Sequence, residues 1–198
     1  MEKDSEFSID YIKKVAADIA QNTIVSYEDL PRYDLFLSQV IDYLNDKFED
    51  EQYTSNIVQN YIKGEVISKP EDGKKRGYTK DHLAQLLLLS YMRPILTTEE
   101  IKKVFALAFN NINNRTDDIL SWENAYKVFS NFQKEMFDDF LSENHFKEQK
   151  LMEIIKESKL KGTDEERILV FLTVMTLIAQ ASAIKKLAKK IVDEYNQE

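Results

Sequence analysis

Three amide side chains, Asn56, Gln59 and Asn60, are spaced so that a helix would present them together. Residues three and four positions apart lie on the same side of an α-helix. Each amide offers a donor and an acceptor in the pattern that matches the edge of adenine in the major groove of DNA. Lys63 lies one turn further on, where its ammonium group suits a phosphate. The spacing therefore predicts a helix face that can read base edges, although a solvated face of an ordinary helix has the same pattern.

A basic loop follows this predicted helix. Residues 55–80 carry six Lys or Arg and three Asp or Glu, whereas the whole chain has a formal net charge of −8. Lys74, Lys75 and Arg76 are the densest part of this positive segment. A local positive cluster in an acidic protein usually serves phosphate binding, and a hairpin after a recognition helix would place it on the neighbouring DNA backbone. A charged surface turn is the alternative.

The elements that must hold these side chains are nearly all helical. Four glycines and three prolines in 198 residues leave few breaks, and apolar residues recur at helical intervals. The predicted helices are residues 8–22, 34–48, 55–63, 79–93, a segment that begins at 97 or 98, 122–144, 148–159 and 164–194. The helix that begins at Thr79 is apolar nearly all round and is therefore expected to be central.

Several helix ends are predicted from single residues. Asp34 is the expected N-cap of the second helix, and Gly64 is expected to end the helix that carries the amides. Pro94 should end the apolar helix. Thr97 or Thr98 should cap the next helix, with a glutamate of its first turn completing a capping box.

Composition bounds the class of protein. The chain has no cysteine, which excludes disulfides and thiolate metal sites and fits a cytoplasmic protein. Its first six residues do not resemble a secretory signal. The segment from Ile168 to Ile184 is uncharged but short for a membrane span and is interrupted by polar residues, so it is expected to be a buried helix, with no membrane contact.

Enzyme chemistry is poorly supported. His82 and His145 are far apart in the chain, and His82 is expected to serve in capping or to lie on the surface. The adjacent aspartate pairs at 117–118 and 138–139 would diverge on a helix and do not form a catalytic dyad. No glycine-rich phosphate loop or metal-ligand cluster is visible. We therefore expect a protein that is not an enzyme, without catalytic residues, cofactor or metal.

Three motifs in order resemble those of the MerR family. Residues 60–70 resemble the end of a MerR recognition helix and the start of its wing. Residues 76–83 resemble the stretch that follows the wing, Arg-x-Tyr-x-x-x-[Asp/Glu]-[Leu/Val] in the family. Residues 96–101 resemble the Leu-x-[Glu/Asp]-[Glu/Asp]-Ile element. A closer resemblance, over about residues 30–110, is to the YkrK-like family of Gram-positive bacteria, a former domain of unknown function regarded as MerR-like regulators.

This resemblance implies a MerR-like winged helix-turn-helix with a short wing at residues 27–110. The apolar patterns on either side predict an N-terminal amphipathic helix at 1–26 and an all-helical C-terminal bundle at 111–198, which is the expected dimerisation or sensor region. The whole fold is therefore expected to be mainly α. The DNA-binding residues implied are Ser55, Asn56, Gln59, Asn60, Lys63, Lys74, Lys75, Arg76 and Tyr78.

The expected function is a DNA-binding transcriptional regulator that acts on double-stranded DNA as a repressor. Paired modules on pseudo-palindromic DNA favour a homodimer, and the C-terminal helices are its expected interface. The alternative is a helical protein-interaction or adaptor module that keeps a winged-helix scaffold without binding DNA, which the net charge favours. An unidentified small-molecule effector is left open, since C-terminal aromatics such as Trp122 and Phe132 could line a pocket as well as a core.

Overall fold

The computed structural model describes residues 11, 14–15, 25–48, 52–70, 77–142 and 163–195. Within these residues the chain is mainly α-helical, as predicted. The helices are α1 (Leu37–Lys47), α2 (Ser55–Lys63), α3 (Lys80–Met92), α4 (Thr98–Ala106), α5 (Trp122–Ser142) and α6 (Thr163–Tyr195). Most of the predicted helix at 8–22, the helix at 148–159 and loop residues 71–76 lie outside the described residues.

The chain forms two compact units. One comprises Thr23–Phe132 together with Lys189–Glu198, and the other comprises Met1–Asn22 together with Gln133–Ala188. Helices α1 to α4 therefore all belong to the first unit.

Helix α1 begins later than the sequence predicted. The Leu35 N–H donates to the Tyr78 carbonyl at 2.9 Å, and the Tyr78 N–H donates to the Leu35 carbonyl at 3.3 Å. This antiparallel bridge keeps the chain extended through Leu35. Phe36 is then the N-cap, and its N–H donates to Gln39 Oε1 at 3.0 Å. The prediction of Asp34 as the cap is wrong because the bridge holds that segment outside the helix.

Asn45 in α1 is bonded to Tyr53, the residue before the N-cap of α2. Asn45 Oδ1 accepts from the Tyr53 N–H at 2.6 Å, and Asn45 Nδ2 donates to the Tyr53 carbonyl at 3.1 Å. Thr54 then caps α2, with its Oγ1 accepting from the Ile57 N–H. Helix α2 has the predicted bounds, and its apolar stripe is anchored in the core by Val58 and Ile62.

Helix α3 is the centre of the first unit. Its leucines are buried on several sides, and Pro94 follows its C-cap residue Arg93, as predicted. After this turn α4 begins with the predicted capping box. The Thr97 N–H donates to Glu100 Oε2 at 2.6 Å, and the Glu100 N–H donates to Thr97 Oγ1 at 3.3 Å.

The start of α5 completes this core. Trp122 is buried, and its ring stacks on that of Phe109 with centroids 3.4 Å apart. Tyr126 is also buried, and its hydroxyl donates to the Val25 carbonyl at 2.8 Å. Phe132, in contrast, is 57% exposed. Of these two aromatics, for which the sequence left a pocket or a core open, Trp122 therefore belongs to the core and Phe132 does not.

Helix α6 differs from its prediction as a buried helix. Its stretch Arg167–Asp193 is, among the described residues, the one helix long and apolar enough to cross a membrane, as judged by length and composition alone. Only 13% of the most apolar window of that stretch is buried. The prediction that this segment is a buried helix is therefore wrong for the single chain.

Candidate nucleic-acid interface

The face of α2 opposite its buried stripe is open to solvent. Ser55, Asn56, Asn60 and Lys63 are exposed, and Gln59 is half-buried. Within the described residues, the side chains of Asn56, Gln59 and Asn60 make no hydrogen bond. The structure thus places all five α2 candidates on one helix and leaves their polar groups available to an outside partner.

The chain leaves α2 through a strained residue. Gly64 is the C-cap, as predicted, but its φ is −78°. The left-handed conformation falls instead on Glu65, at φ 55°. A Cβ at Gly64 would lie 3.1 Å from the Asn60 carbonyl oxygen, a tight contact that glycine avoids. The predicted end of the helix is therefore correct, and the left-handed residue comes one position later.

The segment that follows, residues 66–70, is here called the wing stem because it leads into the basic loop. Val66 and Ile67 are buried and fix its start in the core. The Val66 N–H donates to the Tyr61 carbonyl at 2.9 Å, which ties the stem to the last turn of α2. The stem therefore continues directly from the amide-bearing helix.

Side chains hold the rest of the wing stem. The Ser68 N–H donates to Gln85 Oε1 at 2.8 Å, and the Lys69 N–H donates to Asn113 Oδ1 at 2.9 Å. The Lys69 carbonyl lies 3.1 Å from His82 Nε2. Gln85 and His82 are both on α3 and both buried. Buried polar groups are costly unless paired, so these contacts fix the direction of the stem.

His82 joins the two ends of the loop. Its Nδ1 accepts from the Thr79 N–H at 3.1 Å. Nδ1 must then be unprotonated, so that Nε2 carries the hydrogen and donates to the Lys69 carbonyl. The predicted capping role is confirmed, whereas surface exposure is wrong, since His82 is 1% exposed. Sequence reasoning missed Gln85, although a glutamine inside a leucine-rich helix was a signal of a buried polar contact.

Tyr78 is misplaced in the predicted DNA-binding set. It is 5% exposed, its backbone pairs with Leu35, and its ring packs edge-on against that of His82 with centroids 5.8 Å apart. Burial raises the pKa of its hydroxyl. A phosphate cannot reach a side chain buried in this way, so Tyr78 contributes to the support of the loop. Lys74, Lys75 and Arg76 lie outside the described residues.

Two exposed lysines border this surface. Lys63 at the end of α2 and Lys69 in the wing stem make no ion pair within the described part of the chain. Arg115, in contrast, lies 2.9 Å from the Asp81 carboxylate. The described residues contain no group of three His, Cys, Asp or Glu side chains that could hold a metal ion.

The protein is thus a mainly helical domain in which the exposed polar face of α2 is followed by the wing stem, whose backbone is held by side chains. Residues 25–129, more than half of the chain, match the model of a family described as "Domain of unknown function (DUF1836)", and the chain belongs to this family.

A curated relative supports the predicted YkrK-like resemblance. The chain is 29% identical over 119 residues to the "Uncharacterized protein YkrK" of Bacillus subtilis (strain 168). The match covers 54% of this chain and 50% of the relative, so the chain spans about half the length of the curated relative that it matches. No solved structure matches the chain.

Proposed function

We propose that the protein is a DNA-binding transcriptional regulator of the MerR-like winged helix-turn-helix class, and that it acts as a repressor. The observation that carries this proposal is the row of amides on the open face of α2, with Lys63 at its end. Asn56 and Asn60 are exposed, Gln59 is half-buried, and none of the three makes a side-chain hydrogen bond within the described residues. In the major groove these amides would contact base edges, and Lys63 would contact a phosphate.

The order of the elements supports the same proposal. Helix α1, a fixed turn and α2 form the helix-turn-helix, and the wing stem and basic loop form the wing. The Leu35–Tyr78 bridge closes the wing against the segment before α1. Helix α3 then holds the wing stem through Gln85 and His82, as a supporting helix of a MerR-like module would.

Removal of the charges on the basic loop tests the phosphate contacts. We define the wing variant as Lys74→Ala, Lys75→Ala and Arg76→Ala together. Its affinity for duplex DNA, measured by fluorescence anisotropy from low to high salt, should fall for all sequences. The slope of log affinity against log salt should flatten by about 0.9 for each phosphate that the variant no longer binds.

A control variant separates local contact from net charge. Lys14, Lys103 and Lys134 are exposed and make no ion pair within the described residues, so their triple alanine variant changes the charge by the same amount. Its salt slope should equal that of the native protein. Equal slopes for native, control and wing variants would refute a wing.

The amides should behave differently from the loop. A preferred site can be selected from a pool of random duplexes. Alanine at Asn56, Gln59 or Asn60 should each cost about 1–3 kcal/mol on that site where the amide makes a bidentate base contact. The same variants should change affinity for random DNA little. Equal reductions in affinity on both kinds of DNA would contradict base reading by α2.

A second candidate function is favoured by charge. A net charge of −8 opposes binding to a polyanion and suits a helical adaptor on a winged-helix scaffold. The two functions differ in one measurement, since an adaptor would show no salt-dependent affinity for any duplex in the selected pool.

We also propose that the protein is a homodimer joined through α6. Large apolar side chains on this helix are exposed within a single chain, among them Phe171, Met175, Ile184 and Leu187. Exposed apolar surface of this kind is typical of an interface. A second copy is the proposed partner because a MerR-like module covers one half-site and acts in pairs.

Light scattering at low micromolar concentration tests the dimer. The native protein should show twice the chain mass of 23.2 kDa. Phe171→Glu with Ile184→Glu should give the monomer mass, whereas Val128→Glu on the exposed face of α5 should leave the dimer intact. A monomer mass for the native protein, with or without DNA, excludes this interface, and flotation with lipid vesicles would identify α6 as a membrane-binding helix instead.

A further inference from the structure

We infer that His82 and Gln85 are positioning residues that set the direction of the wing, and through it the number of phosphates the protein contacts. This inference rests on the proposed function. Neither residue can contact DNA directly, because both side chains lie on α3 and are buried. They act through the wing stem, whose backbone they bind.

A wing is usually supported by a ladder of paired strands, and the described residues of the wing stem show no such ladder. Within the described residues, the pairing outside helices near the wing is the single bridge between Leu35 and Tyr78. The hydrogen-bonding groups of Ser68 and Lys69 are instead taken by side chains from α3 and from Asn113. The geometry of the stem therefore depends on individual side chains and not on a sheet.

His82 has the more demanding role of the two. It accepts from Thr79, which follows the basic loop, and donates to Lys69, which precedes it. One imidazole ring thus links both ends of the loop. The position needs an acceptor and a donor in a fixed relation, and leucine offers neither.

Glutamine can replace both functions of this imidazole. It is the ordinary partner of a capping box at the third helical position, which is where His82 lies in α3. Its carbonyl oxygen can accept from the Thr79 N–H, and its amide nitrogen can donate to the Lys69 carbonyl. His82→Gln is therefore the conservative variant, and His82→Leu is the disruptive one.

The test compares these variants in DNA binding over a range of salt. His82→Leu should lower affinity on all duplexes and flatten the salt slope by about one to three units, as the wing variant does. His82→Gln should keep the native slope and an affinity within about twofold of native. Gln85→Met removes the hydrogen bonds of Gln85 with the N–H and the hydroxyl of Ser68, and it should resemble His82→Leu.

Two controls separate positioning from stability. Thr97→Ala removes the cap of α4 and none of the hydrogen bonds of the wing stem, so it should lower the unfolding midpoint without changing the salt slope. Combining His82→Leu with the wing variant should weaken binding little beyond either alone, because residues that act through one element are not additive. Full additivity, or a folded His82→Leu protein with native affinity and slope, would overturn the inference.

Asn113 is the third side chain that binds the wing stem, and it provides a test of the inference if His82→Leu fails to fold. Asn113 is exposed, so Asn113→Ala should fold, and it removes the contact to the Lys69 N–H. It should flatten the slope by less than the wing variant does, and a native slope would contradict the inference.

Amide hydrogen exchange, measured without DNA, reports the protection of the wing stem independently of DNA binding. Gln85→Met should expose the Ser68 amide while the amides of α2 stay protected, and retained Ser68 protection would overturn the anchoring role. If the native protein binds no duplex, the proposed function fails, and the inference fails with it as far as DNA is concerned. Faster exchange at Ser68 would then still show that α3 holds the stem.

Discussion

Asn45 in α1 holds both backbone groups of Tyr53, just before α2, and the loss of this side chain should be measurable. Asn45 bonds both the N–H and the carbonyl of Tyr53, at 2.6 and 3.1 Å. A typical hydrogen bond contributes about 0.5–1.5 kcal/mol net, so Asn45→Ala should destabilise the fold by about 1–3 kcal/mol. For a domain of this size, each kcal/mol lowers the melting temperature by about 2–4 °C.

Urea unfolding followed by circular dichroism is the direct assay. Asn45→Ala should lower the midpoint without changing the slope of free energy against urea, because the unfolded surface is the same. Asp46→Ala is the matched control, since Asp46 follows in the same helix and its side chain is 74% exposed. A destabilisation below about 0.5 kcal/mol, the range of ordinary surface substitutions, would refute the view that this asparagine fixes the turn.

Three further predictions follow from local contacts. Ser90 Oγ donates to the Leu86 carbonyl, so the Tyr53 hydroxyl donates to Ser90 at 2.8 Å; Tyr53→Phe should cost about 1 kcal/mol in urea unfolding, and an unchanged stability would contradict this bond. The Thr97 backbone N–H and the ammonium of Lys189 lower the pKa of Glu100 to about 2. A carboxyl pKa that is lower in the folded state stabilises the fold at any pH above the pKa of the unfolded state. The native protein should therefore be more stable than Glu100→Gln near neutral pH, and that difference in stability should close as the pH falls from about 5 to 2. A difference that does not depend on pH would contradict this prediction. Glu65 has a left-handed backbone, so the variant Glu65→Gly should be more stable than Glu65→Ala by about 1 kcal/mol. Within a helix alanine is the more stabilising of the two, and that order at position 65 would exclude backbone strain there.

Local signals in the sequence predicted much of the helical framework. The bounds of α2, the break at Pro94 and the capping box of Thr97 with Glu100 all depend on residues close together in the chain. Such features are decided by helical periodicity and capping chemistry, which a sequence displays directly.

Contacts between distant residues were not predictable in the same way. Tyr78 is buried because it pairs with Leu35, 43 positions earlier, and this pairing also moved the start of α1 away from Asp34. The burial of His82 and Gln85 likewise depends on where the wing stem crosses α3. The periodicity of apolar residues shows which face of a helix will be buried. It does not show that the backbone of another segment will pack against that face and need a polar side chain there.

The anchoring of the wing stem has a consequence for evolution and for engineering. Within the described residues, one imidazole ring is bonded on both sides of the basic loop, to Thr79 and to Lys69. A single substitution at His82 therefore alters both ends of that loop at once. In evolution such a position is under constraint although it lies in the core and faces no partner. In engineering it allows the loop to be altered without changing any surface residue.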